Sequence, residues 1–394
     1  MKIAYVTAIG VNKHGGTQKC SAWLLEELSN SNNVSVFTIS VEGININKVH
    51  FYKIPAINYP SLPRYIMFFI LNSLLFTLKK NNYDIIHATG PDSLWADVIT
   101  VHFCSSAWLY SVKQGSINLP KDTLLQKIKT FHNLIYWHLT AWCEKIIYHC
   151  NNVKYIITVS EGLKKALISH CQCSPDNIVV IPNPIDEQMI LIPVEQAQFR
   201  NEIRTKHNLT ENDKIVLFVA ASHWKTKGLL LLLEALTYLP RPDVKLLVVG
   251  KDDQEFYADL ARRLGVDKRV IFAGFSKDIR KYYAATEILL HPSYFEGSPL
   301  TVLEAAAAGL PVVVTKVSGV EDWIQDGYNG FFVKHDPQDI AEKIKLLVED
   351  EDLRRKMGQN ARRSAGNYTR QEVARRTMEV YRRVIAQKQQ ESKG

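Results

Sequence analysis

Short apolar runs rich in β-branched residues alternate with helical patterns along the whole chain. The pattern predicts strands at residues 2–7, 34–39, 85–88, 98–102, 155–159 and 178–181, and again at 215–220, 245–249, 270–272, 288–291 and 312–314. Strands that alternate with helices are typical of parallel sheets covered by helices on both faces. The sequence therefore predicts an α/β fold with two doubly wound, Rossmann-like parallel sheets.

Residues 182–186, Pro-Asn-Pro-Ile-Asp, separate the two halves of this pattern. Two prolines around an asparagine continue neither a strand nor a helix, so we expect a domain boundary here. The predicted domains are 1–183 and 184–369, and a helix at about 370–394 is expected to pack back onto the first. A chain of 394 residues is too long for one ordinary core. Ligands of such sheets bind at the carboxyl ends of the strands, here in a cleft between the domains.

The most informative segment is HPSYFEGSPLTVLEAAAAGLPVV at residues 291–313. Ser298 suits the N-cap of a short helix, and Pro299 suits the first helical position because its missing N–H costs nothing there. The backbone N–H groups around Leu300 and Thr301 would then be unpaired at the positive end of the helix dipole. This arrangement predicts a phosphate site.

Two glutamates flank that helix start. Glu304 lies three residues after Thr301 and shares its face one turn deeper. The alanine run 305–308 lets the helix lie close to a sheet, so we expect Glu304 to be covered and to accept hydrogen bonds, for example from a ribose diol. Glu296, in the preceding loop, suits a second polyhydroxylated group such as a sugar. The alternative is that both glutamates are solvated charges.

Two further stretches carry candidate chemistry at the ends of predicted strands. Lys225 and Lys227 follow the strand at 215–220, where two cations can neutralise a departing pyrophosphate, although a solvated basic loop has the same pattern. His102 ends the strand ITVHF and suits either an acid/base role or a polar contact to substrate; a core histidine is an equally good interpretation. His87 is a weaker candidate.

Gly15 and Gly16 stand between the first strand and the helix that follows it. A glycine pair at such a turn lets backbone N–H groups approach an anion, but most such pairs are simply turns. The chain has no GxGxxG after its first strand and no Walker Lys-Ser/Thr, which disfavours dinucleotide and P-loop binding.

Composition narrows the partners. The net charge is +8, from 48 basic and 40 acidic residues that are interleaved along the chain, which does not indicate a nucleic-acid binder. Anionic substrates or an acidic membrane surface are compatible with it. The six cysteines show no metal-ligand spacing, and an Asp350-x-Asp352 pair lies in an acidic turn, so no metal site is predicted.

The longest apolar run, residues 65–78, is interrupted by Asn72 and Ser73 and is itself too short to span a bilayer. It is either a buried helix, which we prefer, or an amphipathic helix that docks on a membrane. The N-terminus reads as a strand and not as a signal peptide, so a cytoplasmic protein is expected, placed if anything at the inner face of the cell membrane.

Together these motifs resemble the retaining, nucleotide-sugar-dependent glycosyltransferases of family 4, which have the GT-B fold. The resemblance rests on the Gly-Gly loop, ITVSEGLKK, VIPNPID, the WKTKG loop and the two glutamates with seven residues between them. It implies three catalytic residues, Glu296 at the donor sugar, His102 touching that sugar, and Lys227 at the diphosphate. It also implies a donor-binding set of Gly15, Gly16, Lys225, Lys227, Ser298, Pro299, Leu300, Thr301 and Glu304, the last on the ribose.

One departure from the family pattern stands in residues 221–225, Ala-Ser-His-Trp-Lys, where members often carry an arginine. A lysine is a point charge and lacks the bidentate fork of arginine, so we expect the protein to hold the diphosphate differently here.

The resemblance implies a hexosyltransferase that moves a sugar, with retention and without a metal ion, from a nucleotide diphosphate sugar to a hydroxyl. A UDP-sugar is the preferred donor, with GDP- and ADP-sugars as alternatives. The acceptor is expected to be a glycan or lipid-linked glycan of bacterial lipopolysaccharide, capsule or other envelope polysaccharide synthesis. Competing interpretations are a nucleotide-sugar epimerase, a phosphorylase, a glycoside hydrolase and a non-catalytic nucleotide-sugar-binding protein.

Overall fold

The structure is a computed structural model, and it describes residues 1–13, 15–43, 49–57, 59–115 and 124–391. The chain forms two compact units. The first comprises Met1–Pro184 together with Arg370–Gly394, and the second comprises Ile185–Thr369.

The first unit is built on a parallel sheet covered by helices. Its strands, within the described residues, are β1 (Lys2–Thr7), β2 (Asn33–Thr38), β3 (Val49–Lys53), β4 (Ile85–Thr89), β5 (Val98–Val101), β6 (Tyr155–Thr158) and β7 (Ile178–Val180), in the order β3-β2-β1-β4-β5-β6-β7. The helices that connect them are α1 (Gly16–Leu28), α2 (Ser61–Lys79), α3 (Ser105–Lys113), α4 (Leu124–Ile147) and α5 (Glu161–Cys171). Most strand residues are buried because both faces of the sheet are covered.

The second unit repeats this architecture. Its strands are β8 (Lys214–Ala220), β9 (Val244–Gly250), β10 (Val270–Gly274), β11 (Ile288–His291), β12 (Val312–Thr315) and β13 (Phe331–Val333), in the order β10-β9-β8-β11-β12-β13. Its helices are α6 (Pro193–Lys206), α7 (Leu229–Thr237), α8 (Gln254–Arg263), α9 (Arg280–Ala285), α10 (Leu300–Ala308), α11 (Pro337–Glu349) and α12 (Glu351–Ala365). The strand order reverses between β8 and β11, which makes that point the topological switch of the sheet.

The predicted fold class is therefore confirmed, and the predicted strands agree with the observed ones to within one or two residues. Two strands were missed, β3 and β13, and both lie at a sheet edge. In β3 only Val49 is buried and the rest of the strand is exposed, so its sequence, VHFYK, lacks the apolar signal of a central strand.

The last helix, α13 (Arg370–Glu391), belongs to the first unit and packs against α1. Its Tyr381 hydroxyl lies 2.5 Å from Nδ1 of His87, which is fully buried in β4. Lys388 pairs with Asp97 at 2.6 Å, and Arg376 donates a hydrogen bond to the Val180 carbonyl. His87 is thus a core histidine that holds the helix in place, and the weak site interpretation of this residue is wrong.

Helix α2 contains the long apolar run and is buried along one face only. Among the described residues, the helix Ser61–Asn82 is long and apolar enough by composition to cross a membrane, and 22% of its most apolar stretch is buried. The buried face consists of Tyr65, Phe68, Asn72 and Phe76. Ile70, Leu74 and Leu78 are 53%, 61% and 84% exposed. The preference for a buried helix is therefore wrong for all but one face, and the helix is longer than the apolar run itself.

Candidate functional site

The candidate site of the second unit lies at the switch point, where the loops after β8 and β11 meet. Tyr294 donates its backbone N–H to the Thr226 carbonyl at 2.9 Å, which ties the two loops together. Gly228 has φ = 84°, and a Cβ built there would lie 2.2 Å from the Pro292 carbonyl oxygen. Only glycine fits this position, so the lysine loop is held against the glutamate segment by its backbone.

Glu296 and Lys227, both predicted catalytic residues, are in direct contact. The Lys227 Nζ and the His291 Nε2 lie 2.6 Å and 2.7 Å from the same oxygen, Oε1, of Glu296. Burial alone would raise the pKa of Glu296, but the Lys227 ammonium and the His291 hydrogen bond lower it to about 2. Glu296 is therefore an anion at neutral pH, held in a fixed orientation.

His291 is a partner that the sequence analysis did not single out, because a histidine at the end of a buried strand looks like a core residue. Its side chain is 2% exposed. Its second ring nitrogen, Nδ1, is buried and has no hydrogen-bond partner in the described part of the chain. A buried polar atom without a partner is a candidate contact for a ligand.

Helix α10 starts one residue later than predicted. Pro299, with φ = −73° and ψ = 112°, is the N-cap and has no side-chain hydrogen bond to the helix, so the assignment of Ser298 as N-cap is wrong. Ser298 instead lies in the turn before the cap, where Gly319 approaches it: a Cβ on Gly319 would lie 2.5 Å from the Ser298 Cα. The predicted turn from Ser298 to Thr301 is thus supported by the loop after β12, a contact that the sequence does not signal.

Glu304 is 7% exposed, as expected from the alanine run that follows it. The Tyr283 hydroxyl lies 3.2 Å from Glu304 Oε2 and 3.3 Å from the Thr301 carbonyl, so it links the carboxylate to the first turn of α10. Leu300 and Thr301 occupy that first turn, whose N–H groups have no partner within a helix. The carboxylate and the helix start therefore lie together, as the sequence predicts.

Lys225 is exposed, in contrast to the half-buried Lys227. The chain turns between them, with the Gly228 N–H bonded to the Lys225 carbonyl at 3.1 Å. The neighbouring Trp224 is buried and its backbone N–H donates to Asp252 Oδ2 at 2.7 Å, which fixes the base of the loop. Lys225 is left at the surface of a rigid turn.

The remaining predicted residues belong to the first unit. Gly15 is the N-cap of α1 and Gly16 its first residue, directly after the loop that follows β1. Asn12 Oδ1 accepts the Gly15 N–H at 3.1 Å, and a Cβ on Gly16 would meet nothing within 4 Å. The glycine pair is therefore a helix start with open space beside Gly16, while a Cβ on Gly15 would lie 1.7 Å from Gln18 Oε1.

His102 directly follows β5. Burial lowers its pKa to about 4, although a hydrogen bond with Asn183 works in the opposite direction. The imidazole is therefore neutral at pH 7. Nδ1 of His102 is buried and has no hydrogen-bond partner among the described residues.

Asp92 is a candidate that the sequence analysis missed. It follows β4 at the switch point of the first sheet, between β1 and β4, and its Oδ2 accepts the Ala8 N–H at 2.7 Å. The side chain is buried, and burial raises its pKa to about 7. The sequence did carry one signal for Asp92, its position just after a predicted strand, at 85–88.

Two family models match the chain. Glycosyltransferase Family 4 matches residues 14–189, and Glycosyl transferases group 1 matches residues 199–364. One relative is the N,N'-diacetylbacillosaminyl-diphospho-undecaprenol alpha-1,3-N-acetylgalactosaminyltransferase of Campylobacter jejuni. It is 33% identical over 312 residues, which cover 78% of this chain and 79% of the relative. The chain belongs to the family 4, group 1 glycosyltransferases.

Two further proteins are similar to this chain, one in sequence and in fold and one in fold. The lipopolysaccharide glucosyltransferase WaaG of Escherichia coli is 32% identical over 202 residues, 50% of this chain and 53% of WaaG. A crystal structure of WaaG superposes with a TM-score of 0.78 at 22% identity, covering 96% of this chain and 99% of WaaG. The Anabaena protein HepE, solved in complex with UDP, has a TM-score of 0.72 at 20% identity and covers 96% of this chain and 99% of its own.

The family assignment made from the motifs is confirmed, and so is the GT-B fold. The chain is an enzyme of the glycosyltransferase class, a hexosyltransferase by its relatives. Roles of individual residues stay predictions.

Proposed function

We propose that this glycosyltransferase moves a sugar from a nucleotide diphosphate sugar to a hydroxyl group, with retention of anomeric configuration. The observation that carries the proposal is the cluster at the switch point of the second unit. There the loops that carry Lys227 and Glu296 are tied together by a backbone hydrogen bond. The second of these loops leads into α10, which carries the buried carboxylate of Glu304. A nucleotide diphosphate sugar offers a diol, two phosphates and a second sugar to match them.

In the proposed complex the diphosphate lies against Leu300 and Thr301, where the first turn of α10 offers N–H groups and a positive dipole. Glu304 accepts hydrogen bonds from the ribose hydroxyls. Lys227 supplies the positive charge that stabilises the leaving diphosphate, a role that a metal ion fills in other enzymes. Lys225, at the surface of the same turn, adds a second cation.

The ionisation states favour a mechanism without an enzymic general acid. Because the pKa of Glu296 is about 2, this carboxylate cannot give a proton at neutral pH, and we assign it to hydrogen bonds with the donor sugar. His102, with a pKa of about 4, is neutral and suits a polar contact to the sugar. The acceptor's proton would then pass to the leaving phosphate itself.

A ligand screen tests the donor assignment. We expect UDP and a UDP-sugar to raise the melting temperature of the protein, by mass action on the folded form, without added magnesium or manganese. GDP, ADP and their sugars are the comparison arms. Product analysis by NMR should then give the same anomeric configuration as the donor. Inverted product, or no shift with any nucleoside diphosphate, would contradict the proposal.

For the acceptor we propose a glycan or lipid-linked glycan of bacterial envelope synthesis. Two relatives support this: the Campylobacter jejuni enzyme is named for a diphospho-undecaprenol acceptor, and WaaG for lipopolysaccharide. Radiolabelled donor incubated with lipid-linked oligosaccharides or with truncated lipopolysaccharide should label one of them. Donor that is isomerised without transfer would indicate an epimerase, and binding without any turnover would indicate a non-catalytic protein.

We further propose that α2 and α4 contact an acidic membrane surface. The two helices pack together, with the Tyr65 and Tyr136 rings 6.0 Å apart between centroids. Among the described side chains of α4, the exposed large apolar ones are Ile128, Phe131, Ile135, Trp142 and Ile146. Both helices carry lysines near their ends, and the acidic residues of residues 61–82 and 124–147 amount to Glu144 alone, which is 1% exposed. An apolar face with basic flanks fits an anionic lipid surface.

Vesicle sedimentation tests this contact. We expect the protein to sediment with phosphatidylglycerol vesicles and not with phosphatidylcholine vesicles, and Leu74→Glu with Leu78→Glu should abolish sedimentation. Phe256→Glu, at a 51% exposed apolar site of the second unit, is the matched control and should still sediment. Equal sedimentation of both variants would exclude this face.

A further inference from the structure

Three buried side chains that the proposed reaction does not use converge in the first unit. Cys104 is the N-cap of α3, Glu144 lies in the last turn of α4, and Cys171 is the last residue of α5. Their exposures are 0%, 1% and 2%. The two sulfur atoms and a carboxylate oxygen all lie within 4.8 Å of one another. Elements far apart in sequence thus bring three ligand-type atoms to one point.

The spacing of these three atoms can be compared with that of a tetrahedral metal site. The Cys104 and Cys171 sulfur atoms lie 3.9 Å and 3.8 Å from the same oxygen, Oε2 of Glu144. In a tetrahedral zinc site, with Zn–S of about 2.3 Å and Zn–O of about 2.0–2.2 Å, neighbouring ligand atoms lie about 3.5–3.8 Å apart. The two sulfur–oxygen distances are within a few tenths of an ångström of this range, and the sulfur–sulfur distance is at most 4.8 Å.

The carboxylate is already oriented for such a role. Glu144 Oε1 accepts the Ser105 N–H at 2.6 Å, and Oε2 accepts the Ser106 N–H and hydroxyl at 3.0 Å and 2.9 Å. Hydrogen bonds of this kind orient ligating carboxylates in metal sites. Both thiols also donate to Oε2, so metal binding would exchange two S–H···O hydrogen bonds for two metal–sulfur bonds.

A second observation points to a ligand at the same place. The hydroxyl of Tyr148, one helical turn beyond Glu144, is buried and has no hydrogen-bond partner in the described part of the chain. Leaving such a group unsatisfied costs about 1–3 kcal/mol. An ion with a bound water in its fourth position would supply the missing partner.

We propose that Cys104, Cys171 and Glu144 bind one structural divalent cation of borderline softness, with Zn²⁺ as the best match for two thiolates and a carboxylate. Binding releases two protons to solvent, one from each thiol. The ion holds the start of α3 to the ends of α4 and α5. Because Cys104 is two residues after His102, the ion also fixes the loop that presents that histidine. This proposal differs from the sequence prediction of no metal site, and the experiment below decides between them.

Metal analysis of the full chain tests the proposal. After growth with zinc and removal of any tag, elemental analysis should find one zinc ion per chain. Cobalt substitution should give thiolate-to-cobalt charge-transfer absorption with the intense visible bands of a tetrahedral site. The Cys104→Ser/Cys171→Ser double variant should lose both signals, and a Cys20→Ser/Cys150→Ser double variant, which removes the same number of thiols elsewhere, should keep them.

The wild-type protein alone can refute the proposal, which matters if the first double variant folds poorly. A zinc content no higher than the background of the buffer, together with six freely reactive thiols after unfolding, would overturn it. So would a disulfide between Cys104 and Cys171 found by peptide mapping without reductant. Glu144→Gln gives an independent arm and should weaken zinc binding at least tenfold, since a neutral amide is a poorer ligand.

Discussion

Lys227→Ala is the most direct test of the site in the second unit. The ammonium lies 2.6 Å from Glu296 Oε1, with the lysine and glutamate side chains 26% and 9% exposed. The substitution removes this contact and, in the proposed complex, the cation that faces the leaving diphosphate. Both effects can be estimated from the contact itself.

The stability effect follows from the ionisation of Glu296. Its pKa falls from the ordinary 4.5 to about 2 in spite of burial, and at 1.36 kcal/mol per unit this favours the anion in the folded state by about 3 kcal/mol. Lys227 is the largest favourable contributor to that shift, so its removal should lower the free energy of unfolding by about 2 kcal/mol. The contribution of the Glu296 anion to the free energy of unfolding is present above pH 4.5 and is lost as the pH falls toward 2.

The functional effect should be larger than the effect of an exposed charge. Deleting a covered, charged hydrogen bond costs about 2–4 kcal/mol of ground-state or transition-state binding, which is roughly a thirty- to thousandfold loss in kcat/KM. We would measure turnover of the donor and the affinity for UDP by calorimetry. Lys356→Ala removes the same charge from an exposed site on α12 and serves as the control. Donor turnover and affinity equal to those of the control would refute the role of Lys227.

Three other substitutions test separate parts of the structure. Glu304→Ala should weaken donor binding by about 2–4 kcal/mol, measured by the same titration. Gly228→Ala should cost about 2–4 kcal/mol of stability in denaturant because its Cβ meets the Pro292 carbonyl, whereas Gly265→Ala, at φ = 69° with nothing within 4 Å, should cost about 1 kcal/mol. Burial lowers the pKa of His87 to about 3, so its stabilising contribution is present above pH 6.5 and is lost as the pH falls; His87→Gln should flatten the loss of stability in that range.

The fold was predictable from sequence because buried parallel strands are continuous apolar runs. The observed β11 is the predicted strand, and most others differ by a residue at one end. The two strands that were not predicted, β3 and β13, lie at sheet edges, and there is a physical reason why such strands are missed. An edge strand such as β3 is held by backbone pairing with one neighbour and buries only Val49, so its side chains carry little signal.

The candidate site was only partly predictable. The positions of Glu296, Lys227 and Glu304 followed from local patterns, namely a proline-started helix and lysines after a strand. Their partners did not, because Lys227 reaches Glu296 from another loop and Tyr283 reaches Glu304 from another helix, while His291, five residues before Glu296, looks like a core residue of its strand. Contacts between residues distant in sequence depend on packing that no local spacing encodes.

The assignment of Arg370–Gly394 to the first unit has a consequence for biosynthesis. The ribosome synthesises the strands of the first unit early. Helix α13, which belongs to the same unit, leaves the exit tunnel only after all of Ile185–Thr369 has been made. Until then the buried imidazole of His87 lacks its Tyr381 partner. The second unit is continuous in sequence, so its folding does not depend on a distant segment, whereas the sheet of the first unit must wait for its final helix.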